Sequence, residues 1–363
     1  MVNDYILFRA DGGPDIGMGH IIRCLALAAA LALPVGFLSR PNTVVRKMIL
    51  DAGFDFLPLG DESGFVAAIE SRQPLAVIVD SYTISSEELA AIKSRAASLV
   101  VIDDMNTRYL SADLLINGNI TAPALNYVPD KKLLLGTKYA LLRPAFGNCQ
   151  AKTIARRAQK LMVTLGGSDP LGLMPSILEE LSDSGLHIKA VIGPQFTNGG
   201  SIERWLAHQM AAGLGSEIEL VADPEMALLM QWADLAVSAG GSTLYELCAT
   251  GLPAVAISIS DNQAPSAGAL GKAGCIRYFG NYTEPFLHDR VGTANNMQSP
   301  KEKKQAPEEI KTLIEAVNEL AVDYDQRFAM SRRGQQLVDG CGAKRCAGAI
   351  RDLVLGGRTE SFQ

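Results

Sequence analysis

Hydrophobic positions fall into short continuous runs separated by mixed stretches, and that rhythm predicts an α/β chain. Tyr5–Ala10 reads as a strand, Gly12–Met18 as a loop and the Ala/Leu-rich Gly19–Leu33 as a helix. Val35–Ser39 is the next strand, with a helical stretch near Val44–Ala52. Leu75–Asp80 (LAVIVD) and Leu99–Asp104 (LVVIDD) are unbroken apolar runs ending in acid, and Leu114–Asn117 and Leu133–Leu135 are further short strands. Runs that are apolar at every position suit a parallel sheet covered by helices on both faces. The same grammar restarts at Leu161–Leu165, with later strands expected at His187–Ile192, Ile218–Val221, Leu235–Ser238 and Val255–Ile259. Two such sets predict two doubly wound, Rossmann-like domains, 1–150 and 151–363, joined through the basic, weakly patterned Ala151–Lys160. His288–Pro307 is polar without apolar periodicity and reads as an exposed insertion; helices resume at Glu308 and run to about Leu355.

Charge narrows the partners. The 363 residues carry 33 Lys and Arg against 39 Asp and Glu, a net charge of −6. Such a chain has no general attraction for the nucleic-acid backbone or for anionic lipid. The six cysteines (Cys24, Cys149, Cys248, Cys275, Cys341, Cys346) show no CxxC pair and no zinc-site spacing, so they read as thiols in a reducing cytoplasm. The apolar run Cys24–Leu38 follows a polar, Gly-rich segment with Asp11 and Asp15 and carries Pro34 near its end. That fits neither a basic leader nor a spanning helix, and a cytoplasmic protein without stable membrane insertion is expected.

Open parallel sheets bind ligands at the carboxyl ends of their strands, and in a two-domain arrangement those edges can face a cleft. Candidate chemistry is therefore sought in strand-to-helix loops. The first is Arg9-Ala10-Asp11-Gly12-Gly13 … Gly17-Met18-Gly19-His20-Ile21-Ile22-Arg23. Its glycines allow close backbone approach, its helix start favours an anion, and His20 is placed to act as a general base. A capping or packing role for His20 is the alternative. The loop is neither GxGxxG nor a P-loop. The second is Ser238-Ala239-Gly240-Gly241-Ser242-Thr243-Leu244-Tyr245-Glu246, which fits a diphosphate at a helix N-terminus with Glu246 on ribose hydroxyls. Thr243 to Glu246 equally has capping-box spacing. In Ile259-Ser260-Asp261-Asn262-Gln263 an amide could hold a sugar hydroxyl or a water, or Asp261 or Asn262 could simply cap a helix. Gly166-Gly167-Ser168-Asp169-Pro170 borders the same edge, or is a tight turn before a helix. Asp80-Ser81-Tyr82 and Asp103-Asp104 tip two strands; their carboxylates fit loop capping or a divalent metal, and Tyr82 could serve as a donor or acid.

Together GMGHIIR, TLGGSDP, SAGGSTLYELCATGLP and VDGCGAKR resemble the UDP-sugar hydrolases of pseudaminic acid biosynthesis and their spore-coat polysaccharide relatives. VIDDMNTRYLSADLLINGN and LLGTKYALLRPAF also fit that family, and the architecture is more distantly similar to the glycosyltransferase that makes lipid II. The resemblance spans almost the whole chain. It implies a GT-B fold and a substrate of UDP-2,4-diacetamido-2,4,6-trideoxy-β-L-altropyranose. Water would displace UDP at the anomeric carbon with inversion, without a metal or other cofactor. It also implies His20 as the catalytic histidine, with Tyr82 and Asn262 at the sugar. Gly17, Gly19 and Arg23 would lie on the phosphate side, while Gly241, Ser242, Thr243 and Glu246 would hold the diphosphate and ribose. Asp11, Gly166, Gly167, Ser238, Gly240 and Gln263 complete the candidate substrate-binding set.

Three other functions compete. A glycosyltransferase with a UDP-sugar donor would share the fold and differ in its acceptor. A non-catalytic nucleotide-sugar module would leave the histidine loop unexplained. An NAD-type oxidoreductase is disfavoured because neither glycine loop is GxGxxG. Flagellin, capsule and spore-coat pathways could each supply the sugar.

Overall fold

The computed structural model describes residues 5–13, 16–60, 62–147, 149–196, 199–211, 217–282 and 308–356. Two compact units divide the chain: Met1–Gln150 with Gln336–Gln363, and Ala151–Gln335. In the first unit β1 (Ile6–Ala10), β2 (Val35–Ser39), β3 (Asp55–Pro58), β4 (Ala76–Asp80), β5 (Leu99–Ile102), β6 (Leu114–Asn117) and β7 (Lys132–Leu135) form a parallel sheet of order β3-β2-β1-β4-β5-β6-β7. Between them run α1 (Gly19–Leu31), α2 (Thr43–Asp51), α3 (Glu62–Arg72) and α4 (Ser86–Lys93).

Successive residues of β1 show why it begins with three apolar positions. Ile6 and Phe8 pack with Ile21 and Leu27 of α1, while Leu7 packs on the opposite face with Phe65 and Leu89 of α3 and α4. Each face is closed by helices, which favours apolar residues at Ile6, Leu7 and Phe8, while the buried Arg9 is tolerated through its pairing with Asp11. The edge strand β3 is half-exposed and had no such run to announce it.

The second unit repeats the plan with β8 (Lys160–Thr164), α5 (Leu173–Leu181), β9 (His187–Ile192), α6 (Gly199–Ala211), β10 (Ile218–Ala222), α7 (Met226–Trp232), β11 (Leu235–Ala239), α8 (Thr243–Thr250), β12 (Ala254–Ser258), α9 (Ala264–Lys272) and β13 (Arg277–Asn281). Its parallel sheet has the order β10-β9-β8-β11-β12-β13. Helices α10 (Glu308–Val322) and α11 (Tyr324–Leu337) follow, and α12 (Gly342–Gly356) ends the described chain. Strand β13, half-buried throughout, was also absent from the sequence expectation.

The domain expectation of 151–363 differs at its end, because α12 packs in the first unit. Cys346, Ala347, Ile350 and Val354 join the core around α1, and Arg351 Nη1 donates to Ala30 O at 3.1 Å and Leu31 O at 3.2 Å, the carbonyls that end α1. Gly340 and Gly342 permit the docking. Gly340 has φ +72°, and a Cβ there would lie 1.9 Å from Phe146 O; at Gly342 it would lie 2.2 Å from Ala140 O. The stretches VDGCGAKR and LLGTKYALLRPAF thus meet in space. Periodicity reveals that a helix has a buried face but not which sheet buries it.

The expected linker is bound along the second unit. Lys152 Nζ donates to Met230 O and Gln231 O, both at 3.0 Å, and Ala158 N to Ala321 O at 2.8 Å. Buried Arg327 donates from Nη2 to Ala155 O at 2.9 Å and Arg156 O at 3.1 Å. The predicted insertion His288–Pro307 lies outside the described residues. Among the described residues, no helix is long and apolar enough to cross a membrane.

Strand order reverses between β1 and β4 in the first unit and between β8 and β11 in the second. Neighbouring strands there send their connections to opposite faces, which opens a crevice at the carboxyl ends.

Candidate active site

At the first switch point, the loop after β1 is closed by Gly17 N donating to Gly13 O at 2.7 Å and Gly13 N to Gly17 O at 3.2 Å. Gly17 takes φ +78°, which a Cβ would strain. The loop delivers α1 at Gly19, so His20 sits in its first turn. Asp11, from the binding set, accepts from Arg40 N at 2.8 Å and pairs with Arg9 Nη1 at 2.8 Å, tying the ends of β1 and β2.

Asp80 lies beside Ala10 in the β1/β4 register. His20 Nδ1 is 2.5 Å from Asp80 Oδ1, with His20 6% and Asp80 1% exposed. Arg23 Nε donates to Asp80 Oδ2 at 2.6 Å and Nη2 to Asp80 Oδ1 at 2.6 Å, while Nη1 donates to Asp104 Oδ2 at 2.7 Å. Burial opposes charge on Asp80, but Arg23 and His20 beside it outweigh that and hold its carboxyl well below the usual range. An ionised Asp80 can only accept, so the bonded Nδ1 carries a proton, and in the neutral ring the lone pair is then on Nε2.

Tyr82 completes the cluster. Its ring meets that of His20 edge-on, with centroids 4.5 Å apart and planes at 76°. Its hydroxyl donates to Asp104 Oδ2 at 2.6 Å, and Asn119 Nδ2 donates to Asp104 Oδ1 at 2.8 Å. Burial and the Asp104 carboxylate push the Tyr82 phenol far above the usual tyrosine range. The hydroxyl proton is therefore committed to Asp104, and what Tyr82 has left to offer is an acceptor oxygen. Arg23, expected beside phosphate, has all three guanidinium nitrogens engaged by the two carboxylates. Asp103 has different work: its Oδ2 accepts from Asn106 N at 2.7 Å and Tyr127 Oη at 2.7 Å, which folds the loop after β5. Among the described residues, no group of three or more His, Cys, Asp and Glu is arranged to hold a metal ion.

The second switch point contains little side-chain bonding of this kind. Ser242 precedes α8 without a side-chain cap, so the Thr243–Glu246 capping box does not form; Ser242 is exposed, and Glu246 is 6% exposed. The first-turn N–H groups at Ser242 and Thr243 head α8 with the partial positive charge of a helix start. Ser238 Oγ donates to Ala239 O at 2.9 Å. At Gly240 a Cβ would lie 2.7 Å from Ser258 Oγ and 3.1 Å from Gln263 Cβ, so only glycine fits there. Gln263 Oε1 accepts from Ile259 N at 3.0 Å, and its Nε2 lies 3.9 Å from where a Gly241 Cβ would be.

Exposed Asn262 accepts from Ser260 Oγ at 2.7 Å through Oδ1; neither it nor Asp261 caps α9. After β8, Gly166 takes φ +87°, and Gly167 O accepts from Gln195 N at 2.9 Å. The turn's polar end is a cap for α5: Asp169 accepts from Leu173 N at 2.9 Å and Met174 N at 3.0 Å. The structure thus gathers His20, Arg23 and Tyr82 in the first unit. It gathers Gly240, Gly241, Ser242, Thr243 and Gln263 at the second-unit turns.

Sequence reasoning did not assign Asp80 to His20, nor Asp104 and Asn119 to Tyr82. The signal for the first two was the acid tipping LAVIVD and LVVIDD. Asn119, two residues beyond β6, carried none.

Residues 164–317 match the glycosyltransferase family 28 C-terminal domain. The chain is 27% identical over 271 residues to protein MJ1062 of Methanocaldococcus jannaschii, covering 69% of this chain and 55% of that protein. It is 26% identical over 358 residues to the spore coat polysaccharide biosynthesis protein SpsG of Bacillus subtilis, covering 95% of this chain and 97% of SpsG. It is also 27% identical over 276 residues to the UDP-2,4-diacetamido-2,4,6-trideoxy-β-L-altropyranose hydrolase of Campylobacter jejuni, covering 74% and 97%. Among solved structures, MurG of Acinetobacter baumannii superposes with a TM-score of 0.63 at 14% identity, covering 96% of this chain and 99% of that one, which speaks to the fold. The chain is thus similar to SpsG and to the UDP-diacetamido-trideoxy-altropyranose hydrolases, its residues 164–317 match the glycosyltransferase family 28 C-terminal domain, and its fold is GT-B.

Proposed function

We propose that this protein processes UDP-sugars as a hydrolase, releasing UDP and a free 2,4-diacetamido-2,4,6-trideoxy sugar. The observation that carries the reading is the His20–Asp80 pair at 2.5 Å, which leaves Nε2 as a base. The names of the homologues supply the substrate class. In this reading His20 Nε2 takes a proton from water as its oxygen bonds to the anomeric carbon. The bond from that carbon to the UDP oxygen breaks, its electron pair leaves with the diphosphate, and configuration inverts. The imidazolium formed is stabilised by Asp80, then returns its proton to solvent.

Developing charge on the leaving diphosphate suits the N–H groups at the start of α8, preorganised dipoles that need not reorient during reaction. Glu246 would take the ribose hydroxyls, Gly166, Gly167 and Gly241 would let the nucleotide approach backbone, and Asn262 and Gln263 would hold the sugar. Tyr82 would accept a hydrogen bond beside His20. No step is routed through a metal.

Incubation of purified protein with a panel of UDP-diacetamido sugars tests the reading. NMR should show UDP and free sugar formed with water alone, the sugar emerging with inverted anomeric configuration, in the presence of EDTA. Retention of configuration, or release only when a second sugar or lipid acceptor is added, would replace the hydrolase with a transferase.

A further inference from the structure

Asp104, the carboxylate of the first-unit cluster that does not touch His20, is bonded by three different side chains. Its Oδ2 accepts from Arg23 Nη1 at 2.7 Å and Tyr82 Oη at 2.6 Å, and its Oδ1 from Asn119 Nδ2 at 2.8 Å. Arg23 continues through Nε and Nη2 to Asp80, which holds His20 Nδ1. The result is an unbroken chain of charge-assisted bonds, Tyr82–Asp104–Arg23–Asp80–His20, whose two ends return to each other as rings 4.5 Å apart. Charge-assisted bonds are short and directional, and both carboxylates face one planar guanidinium. Rotation of either aromatic side chain therefore breaks a bond to a partly buried charge.

We propose that Asp104 is a positioning residue: by holding the Tyr82 hydroxyl proton and one arm of Arg23, it makes Tyr82 an acceptor and locks it to His20 as a single working unit. This rests on the hydrolase reading above and adds a coupling to it. With its O–H directed at Asp104, the Tyr82 oxygen has only lone pairs left to present, and the group it meets must bring a hydrogen: the attacking water, or an O–H or N–H of the sugar. Asp104 itself touches no substrate. Asn119 steadies Asp104 from the far oxygen and extends the same role.

The test is a double-mutant cycle on UDP-sugar hydrolysis by the full chain, with Tyr82→Phe, Asp104→Asn and both together. Each single variant is expected to lower kcat by about tenfold, with KM within about twofold, and the double variant to be no worse than the poorer single one. Losses that multiply, or that fall mainly on KM, would overturn the proposal. Should Asp104→Asn fail to fold, Asn119→Ala runs the same cycle: its loss should vanish in the Tyr82→Phe background, and an equal loss in both backgrounds would count against the coupling.

A phenol titration by ultraviolet difference, wild type against Tyr82→Phe, needs no turnover. Tyr82 should titrate well above the ordinary value of ~10 and move back toward it in Asp104→Asn. Titration near the ordinary value in wild type would show that Asp104 does not hold the proton. His20→Ala is assayed alongside. Normal turnover in that variant would remove the hydrolase reading itself, whereas a dead His20→Ala with multiplicative losses at Tyr82 and Asp104 would remove only the coupling.

Discussion

At the β1/β4 switch point, neighbouring strands deliver Asp80, Asp104 and Asn119 to positions where Arg23, His20 and Tyr82 bond to them. At the β8/β11 switch point the corresponding turns deliver Gly166, Gly167, Gly240 and Gly241, and α8 begins without a side-chain cap. The topology is the same and the materials are opposed. The first region is fixed by charge and hydrogen bonds among side chains, so it has a defined protonation pattern before any ligand arrives. The second is shaped by the absence of side chains, so what it offers is backbone N–H groups and space. A proton-transferring centre needs the first kind of construction and an anion cradle the second. The comparison predicts different weaknesses. The first region should fail on changes of charge at constant shape, and the second on the addition of a single methyl group.

The largest expected effect is at His20. His20→Ala should lower turnover by about 10²–10⁴-fold, the usual contribution of a general base, while UDP affinity measured by calorimetry stays unchanged. A loss of UDP affinity equal to the loss of turnover would mean that the two regions are not functionally separate. Next comes Asp80→Asn, which keeps shape and removes charge. It leaves the partly buried Arg23 with one carboxylate instead of two, so the cost should be real but below the ~3–5 kcal/mol of leaving a buried charge with no partner. Thermal unfolding should show the cost. The acid limb should change as well. Asp80 titrates below its unfolded value, so its contribution is full above about pH 4 and is lost as pH falls from there toward the depressed folded value. Wild-type stability should therefore fall more steeply than that of Asp80→Asn below about pH 4.

The same contrast governs how much the sequence disclosed. Central strands were legible because burial on both faces favours an apolar run: β2 and β6, buried throughout, match their expected spans of Val35–Ser39 and Leu114–Asn117. Edge strands β3 and β13 were not, because half-exposed residues constrain the sequence weakly, although the edges β7 and β10 kept enough apolar residues to be expected at Leu133–Leu135 and Ile218–Val221. Glycine turns are visible in a sequence because glycine is a distinctive letter in strand-to-helix context. Side-chain networks are not. Asp80 is 60 residues from His20, and Asp104 is 22 from Tyr82, so their pairing depends on β1, β4 and β5 lying side by side. Arg23 illustrates this: a cation near a glycine loop suggests phosphate, and the two carboxylates from other strands that it bonds to could not be read beside it. The C-terminal helix is the same lesson on a larger scale, since it docks on α1, as in the Arg351 Nη1 to Ala30 O bond at 3.1 Å with a separation of 321.

Gly240→Ala tests the second region in its own terms. The new methyl would lie 2.7 Å from Ser258 Oγ, 3.1 Å from Gln263 Cβ and 3.3 Å from Ala267 Cβ. Overpacking of this kind costs roughly 1–3 kcal/mol, and it should displace the turn that heads α8. UDP affinity should fall by about tenfold or more, with the phenol titration of Tyr82 unchanged. Adding Ser258→Gly, which removes the nearest clashing atom, should restore part of the affinity. No recovery would mean that the methyl acts through something other than space.

The smallest effect returns to the first region and to the sign of a single titration. Tyr82 holds its proton above the unfolded tyrosine value, so between the two the folded state binds more protons than the unfolded state. Its contribution is fully present below about pH 10 and is lost as pH rises beyond it. Tyr127, which donates to Asp103 and is raised by burial and that bond, acts in the same direction in both proteins and cancels on comparison. Between pH 10 and 11, urea unfolding should therefore show wild type losing up to about 1.4 kcal/mol more than Tyr82→Phe, with the two curves parallel near neutrality. An alkaline limb identical in the two proteins would mean that the Tyr82 proton is free to leave, and the first region would then be no more wired than the second.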